Sequence, residues 1–231
     1  MKLYQILLKK IGWYKEPPVV AEETKVYNPV AGAKVGGSFT LDSLDYRGLN
    51  FFVKEIKEYN VHLNGKKFTD YVLLARPLGK PDVWVRLRLV PDDSGTHKMT
   101  HKVLLLTQYD TLAYNEGLHN VVKDKCKKFV VDDDKKDTDP TNDTHEEYFR
   151  VKGVDVSYTA SVKTLKDEDG NGKVDANEVT QSQLEFWDYH RMAKIDGVDE
   201  EQFLFVEMSK DDGWFTLWQG VEIAPDKVDA I

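Results

Sequence analysis

The chain has 231 residues, 41% of them hydrophobic and 11% aromatic, with a formal net charge of −8 and a pI near 5.3. That is enough apolar material for one large core or two small ones, and it excludes wholesale disorder. The acidic balance argues against a general nucleic-acid binder, because phosphate contacts need concentrated Lys and Arg.

The N-terminal stretch MKLYQILLKKIGWYKEPP places Leu3, Leu7 and Ile11 at four-residue spacing, with Lys2, Lys9 and Lys10 on or near the other face. This predicts a short amphipathic helix over 3–11, within an N-terminal segment 1–16 that Gly12 and Pro17-Pro18 bring to an end. Such a helix is too short to be stable alone in water. It must dock on its own domain, on an unknown protein partner, or on a membrane surface. Trp13 and Tyr14 suit residues 1–14 to peripheral membrane contact. Lys9 and Lys10 break the apolar run that a signal peptide needs, and no apolar run approaches the roughly 20 residues of a transmembrane segment. The expected location is therefore cytoplasmic, with membrane association through residues 1–14 as the alternative. The single cysteine, Cys126, cannot form an internal disulfide and has no identifiable base beside it.

Pro17, Pro18 and Pro29 mark a linker over 17–34. From residue 35 the signal is mainly β, as antiparallel hairpins. SFTLDSL alternates, and YVLLARPLGKPDVWVRLRLV reads as two strands around a Pro/Gly turn. In its second strand Trp84, Arg86 and Arg88 share one face and Val83, Val85, Leu87 and Leu89 the other, the pattern of a half-buried strand. HKVLLLTQY is a further strand. Residues 116–129 are the best internal helix, with Leu118, Val122, Cys126 and Phe129 on one stripe. Residues 132–147 carry eight acidic groups against two Lys, a solvated loop that divides a first β-rich region, 35–131, from a second, 148–231. In the second region VDVSYTASV and SQLEFWDYH alternate, and QFLFVEMSKDDGWFTLWQGVEI is a hairpin with Asp212-Gly213 in its turn. Its aromatic pattern resembles the earlier hairpin: Tyr71–Leu74 answers to Phe203–Val206, and Trp84, Val85 and Leu87 to Trp214, Phe215 and Leu217. Duplication and chance both fit. The expected fold is mainly β, with one or two short helices and a core resting on Trp84, Phe186, Trp187, Trp214 and Trp218.

Motifs for nucleophilic catalysis and for phosphate or dinucleotide binding are missing from the sequence. His97 and His101 are four apart where a turn leads into a strand, which separates them by about 13 Å and speaks against a zinc pair. His190, among Trp187, Asp188 and Arg191, reads as a structural, hydrogen-bonded histidine.

The most chemically loaded stretch is KDEDGNGKVDANEV, residues 166–179. Counted from Asp167, acidic or amide groups fall at positions one, three, five, nine and twelve, with Gly172 at six. Calcium takes six to eight oxygens at about 2.3–2.6 Å, and a tightly wound loop can supply them. The ligands would be the Asp167, Asp169 and Asn171 side chains, the Lys173 carbonyl, Asp175 directly or through water, and Glu178 with both oxygens. Over these twelve residues the chain resembles the EF-hand calcium loop. The flanks alternate like strands, with 156–164 and 180–188 the predicted pair. The expectation is a Ca²⁺-binding loop joining two strands, against a polar turn that holds no metal.

A second resemblance covers about the last fifty residues. SQLEFWDYHR followed by FLFVEMSKDDGWFTLWQGVEIAPDKV is similar to the C-terminal part of the uncharacterised bacterial YjfK-like proteins. It implies a bacterial accessory protein linked to envelope functions and supplies no catalytic residue. The function expected from the sequence is non-enzymatic binding, with a structural Ca²⁺ loop and an unknown partner.

Overall fold

A computed structural model describes residues 30, 32–43, 45–62, 66–92, 100–123, 128–132, 145–150, 158–168, 174–175, 178–195, 198–209 and 211–230. The predicted helix 3–11, most of the linker, Cys126, His97 and residues 133–144 of the acidic loop lie outside them. The strands are β1 (Ser38–Leu41), β2 (Asn50–Val61), β3 (Lys67–Ala75), β4 (Val83–Asp92), β5 (Thr100–Ala113), β6 (Lys128–Asp132), β7 (His145–Arg150), β8 (Tyr158–Lys166), β9 (Val179–Ile195), β10 (Val198–Ser209), β11 (Trp214–Ile223) and β12 (Val228–Ala230). One helix, α1 (Glu116–Lys123), follows β5.

Every pairing is antiparallel, and eight strands close on themselves in the order β2-β3-β4-β5-β11-β10-β9-β8 and back to β2. The fold is therefore mainly β, as expected, in the form of an antiparallel barrel, which leaves no free edge within its ring. The ring takes strands from both sides of the acidic segment. Two pairs extend it: β1 and β12 beside the start of β2, and β7 and β6 beside the far half of β9.

Strand β2 can serve two neighbours because its register shifts between Val53 and Glu55. A bulge adds one residue and reverses which face each later side chain takes. Phe51 and Val53 accordingly pack outside the barrel with Phe39, Leu73 and Leu87, whereas Tyr59 and Val61 pack inside with Val162 and Phe186. The switch comes where β2 leaves β1 and takes up β8. A second shift, between Leu217 and Trp218, lies where β11 runs along β5. Near it the two strands approach so closely that a Cβ on Gly220 would lie 2.3 Å from the Leu105 carbonyl oxygen. Only glycine fits there.

Apolar side chains fill three volumes. One lies outside the barrel under β1 and β12, and one lies outside β9–β11 under α1, β6 and β7. The third is the barrel interior, where Tyr59, Phe186, Leu104, Leu106, Phe205 and Trp218 surround buried charges. Several expectations change here. The helix predicted over 116–129 ends at Lys123, because Lys128–Asp132 pairs with β7 as a strand; Val122 still anchors α1 in the core. The segment 132–147 is not loop throughout, since Asp132 closes β6 and 145–147 open β7. Trp84 and Trp214 do not carry the core: they are 49% and 48% exposed, while Trp187 and Trp218 are buried. The two aromatic hairpins also differ. Tyr71 and Leu73 face outward, whereas the matching Phe203 and Phe205 belong with the interior residues.

Candidate functional site

The loop 167–178 joins β8 to β9, whose pairing runs from Tyr158↔Phe186 to Leu165↔Val179. The predicted flanking strands are present, so the loop closes a hairpin and has no paired helices of the EF-hand kind beside it. Asp167, Glu168, Val174, Asp175 and Glu178 are described; Asp169, Asn171 and Lys173 lie outside the described residues. Glu178 is buried. The backbone N–H of Glu168 donates to its Oε1 at 2.8 Å, and that of Asp175 donates to its Oε2 at 2.6 Å. Both ends of the loop are thereby drawn onto one carboxylate. Asp175 is exposed and Asp167 half-buried, both accessible to an ion. Among the described residues no group of three or more His, Cys, Asp or Glu side chains is gathered as a metal would need. The described part of the loop therefore shows one buried carboxylate, Glu178, held by two backbone N–H groups, and no assembled ligand set.

The barrel interior holds a charge cluster that the sequence pattern does not announce. Arg86 and Arg88 were expected on the wetter face of a half-buried strand, but both are sealed inside, because that face lines the closed ring. Arg88 clamps Asp70 with two hydrogen bonds of 2.8 Å and reaches Glu207 Oε1 at 2.6 Å. Arg86 donates to both Glu207 oxygens, at 2.9 and 2.8 Å, and to Asp70 at 3.1 Å. Trp218 covers Arg86 at 3.7 Å, and Phe68 and Phe205 each lie 4.5 Å from Arg88. Burial alone would raise the Glu207 carboxyl, but the two guanidinium groups outweigh it and hold it well below the carboxylate range. The two partners lie on β3 and β10, so the cluster ties opposite walls together and has a structural role. Asp188, also on the inward face, has its pKa raised to about 6 by burial. Its Oδ1 is buried without a hydrogen-bond partner among the described residues, although the residue as a whole is only partly covered.

Outside the barrel, a cleft of about 850 Å³ runs between the β1/β12 side and the β7 side, over β5, β11, β10 and β9. A second polar network forms part of its lining. Arg191 pairs with Glu146 at 2.6 Å and donates to Gln202 Oε1 at 2.7 Å. Tyr148 O–H donates to Gln202 Oε1 at 3.0 Å and accepts from Gln219 Nε2, which also reaches Glu146 Oε2 at 3.2 Å. Burial pushes the Tyr148 phenol up to about 12, so it acts as a hydroxyl at neutral pH. His190 is half-exposed and, as expected, hydrogen-bonded, here to Glu201 at 2.6 Å.

Compared with known proteins, the chain matches no family model, and neither a curated protein nor a solved structure is significantly similar to it. No described helix is long and apolar enough to cross a membrane.

Proposed function

We propose that this chain is a non-enzymatic binding or accessory protein, built on a rigid barrel, whose β8–β9 hairpin loop takes one Ca²⁺. Glu178 carries the reading: it stands at the twelfth position of the calcium-type pattern, buried, with both carboxylate oxygens held by N–H groups from the two ends of the loop. Asp167, Asp169, Asn171, the Lys173 carbonyl and Asp175 complete the ligand set by their spacing. Five carboxylates in twelve residues, Asp167, Glu168, Asp169, Asp175 and Glu178, repel one another without a cation, so the ion steadies the hairpin by mass action. At a hundredfold excess over Kd this is worth about 2.7 kcal/mol. A loop without paired helices is less preorganised than a sensor's, so its affinity falls below the roughly micromolar range of sensors.

Thermal unfolding with excess Ca²⁺ and with chelator, alongside calorimetry, tests the assignment. The midpoint should rise with Ca²⁺, and Asp169→Asn should reduce the rise without lowering the chelated midpoint. Glu178→Gln should weaken binding most, because it removes the charged ligand that presents both oxygens. An unchanged midpoint and no heat of binding would leave the segment a polar turn.

A further inference from the structure

We propose that the cleft over β5, β11, β10 and β9 is a binding site for a neutral, hydroxyl-rich ligand of the saccharide class. Its floor is mixed, with Leu105, Val221 and Ile223 beside a row of polar side chains. Thr107, Gln219, Gln202 and Arg191 come from four successive strands, and Glu146 reaches in from β7. The two amides are held firmly but are not used up. Gln202 spends Oε1 on Arg191 and Tyr148, leaving its two Nε2 donors without a partner among the described residues. Gln219 spends Nε2 on Tyr148 and Glu146, leaving its Oε1 free among them. Both side chains are half-exposed. A fixed amide donor and a fixed amide acceptor therefore sit diagonally across one strand pair, since Gln219 lies opposite Leu204 in the register. Vicinal hydroxyls, each both donor and acceptor, match such an array.

The charges of the cleft argue for a neutral ligand. Arg191 compensates Glu146, Lys227 pairs with Asp42 at 3.1 Å, and Lys102 pairs with Glu222 at 3.1 Å, which leaves Lys194 against Asp45 and Glu200, a balance close to neutral on the acidic side. Aromatic placement argues against a nucleobase, which needs a flat face to stack on. Tyr148 is buried, with the Arg191 guanidinium 4.9 Å over its ring. Tyr46, half-buried and nearly perpendicular to the Phe51 ring, adds an apolar part to the wall.

The site does not depend on the calcium loop, but it deepens the binding reading and rests on it. The test is saturation-transfer NMR on the full chain with glucose, galactose, mannose, N-acetylglucosamine and their disaccharides at millimolar concentration. Glucuronate and spermidine serve as anionic and cationic controls. At least one neutral sugar should receive saturation, neither control should, and the Gln202 side-chain amide signal should move on titration. Gln202→Glu keeps the acceptor that Arg191 and Tyr148 use, removes the amide donors and adds a carboxylate charge beside Arg191. It should weaken binding about tenfold while the melting midpoint holds. The proposal falls if no neutral sugar binds, if a charged control binds as well, if the wild-type Gln202 amide signal stays still, or if Gln202→Glu binds like wild type. Chemical conversion of a bound sugar would support the site and overturn the non-enzymatic reading instead.

Discussion

The barrel interior and the outer cleft are built from the same chemistry, guanidinium groups against carboxylates, and put it to different ends. Inside, Arg86, Arg88, Asp70 and Glu207 are sealed from water and stacked against aromatic rings, and they bond almost entirely to one another. In the cleft, Arg191 and Glu146 keep 19% and 16% of their side-chain surface exposed, and the amides beside them keep hydrogen-bonding capacity. What separates the two is solvent. A buried charge must have its partners supplied by the fold, so the inner cluster is committed to holding walls together. A half-open network can exchange water for a ligand.

The largest expected effect breaks the inner half of this comparison. Asp70→Ala leaves two guanidinium groups facing the single Glu207 carboxylate, in a volume closed to water. Losing one partner of a buried pair costs about 3–5 kcal/mol, to be read from urea-melt midpoints. Replacing Asp70, Arg86, Arg88 and Glu207 together by apolar residues of similar volume should cost far less than that single change. A loss below about 1 kcal/mol for Asp70→Ala would mean that water reaches the cluster, and the contrast with the cleft would vanish.

The cluster was present in the sequence but readable only in part. Asp70 in FTDYV and Glu207 in FLFVEMS are charges inside apolar strands, an exception that asks for a partner. Arg86 and Arg88 are of matching sign. What alternation cannot show is closure. In an open sheet a face carrying Trp84, Arg86 and Arg88 is the wet one; in a closed ring it is the interior. Hairpin content was legible, because Asp212-Gly213 and the β3–β4 turn carry their own chemistry, with Gly213 at φ +68° and Gly79 at φ +71°. Strand β2 was not, because its bulge reverses the faces midway and blurs the period. The cleft was not legible either: Gln202, Gln219, Arg191 and Glu146 are ordinary polar residues until the register sets them side by side. Of the calcium-type loop, the pattern of ligands and the flanking strands could be read, while the inward turn of Glu178 could not.

A smaller effect sharpens the same boundary through pH. Asp188 faces inward beside Arg88 and Glu207, and burial lifts its pKa from an ordinary 3.8 to about 6. A carboxyl raised in the folded state favours folding below its unfolded value and loses that advantage as pH rises through the folded one. The ionised form is therefore a burden above about pH 6, and Asp188→Asn should stabilise the protein at pH 8 by up to about 3 kcal/mol. The gain should shrink as pH falls from 6 toward 4. Glu207 runs the other way, since its lowered pKa contributes stability above its ordinary 4.5 that is lost on further acidification. Chemical denaturation of wild type and variant at pH 8, 6 and 4 separates the two, and equal differences at all three values would remove Asp188 from the buried set.

The smallest expected effect tests the outer half. Glu146→Gln keeps the shape of the side chain and an acceptor for Arg191, and gives up the charge and the second acceptor that Gln219 uses. The pair is partly exposed, and exposed ion pairs contribute about 0.2–1 kcal/mol. The loss should stay within about 1 kcal/mol and shrink further in molar salt, where charges are screened over about 3 Å. The buried cluster should show no such salt dependence, because water and ions do not reach it. A cost for Glu146→Gln approaching that of Asp70→Ala would mean the cleft network is spent on holding β7 against β9–β11. Gln202 and Gln219 would then be braces of the fold, with nothing left over for a ligand.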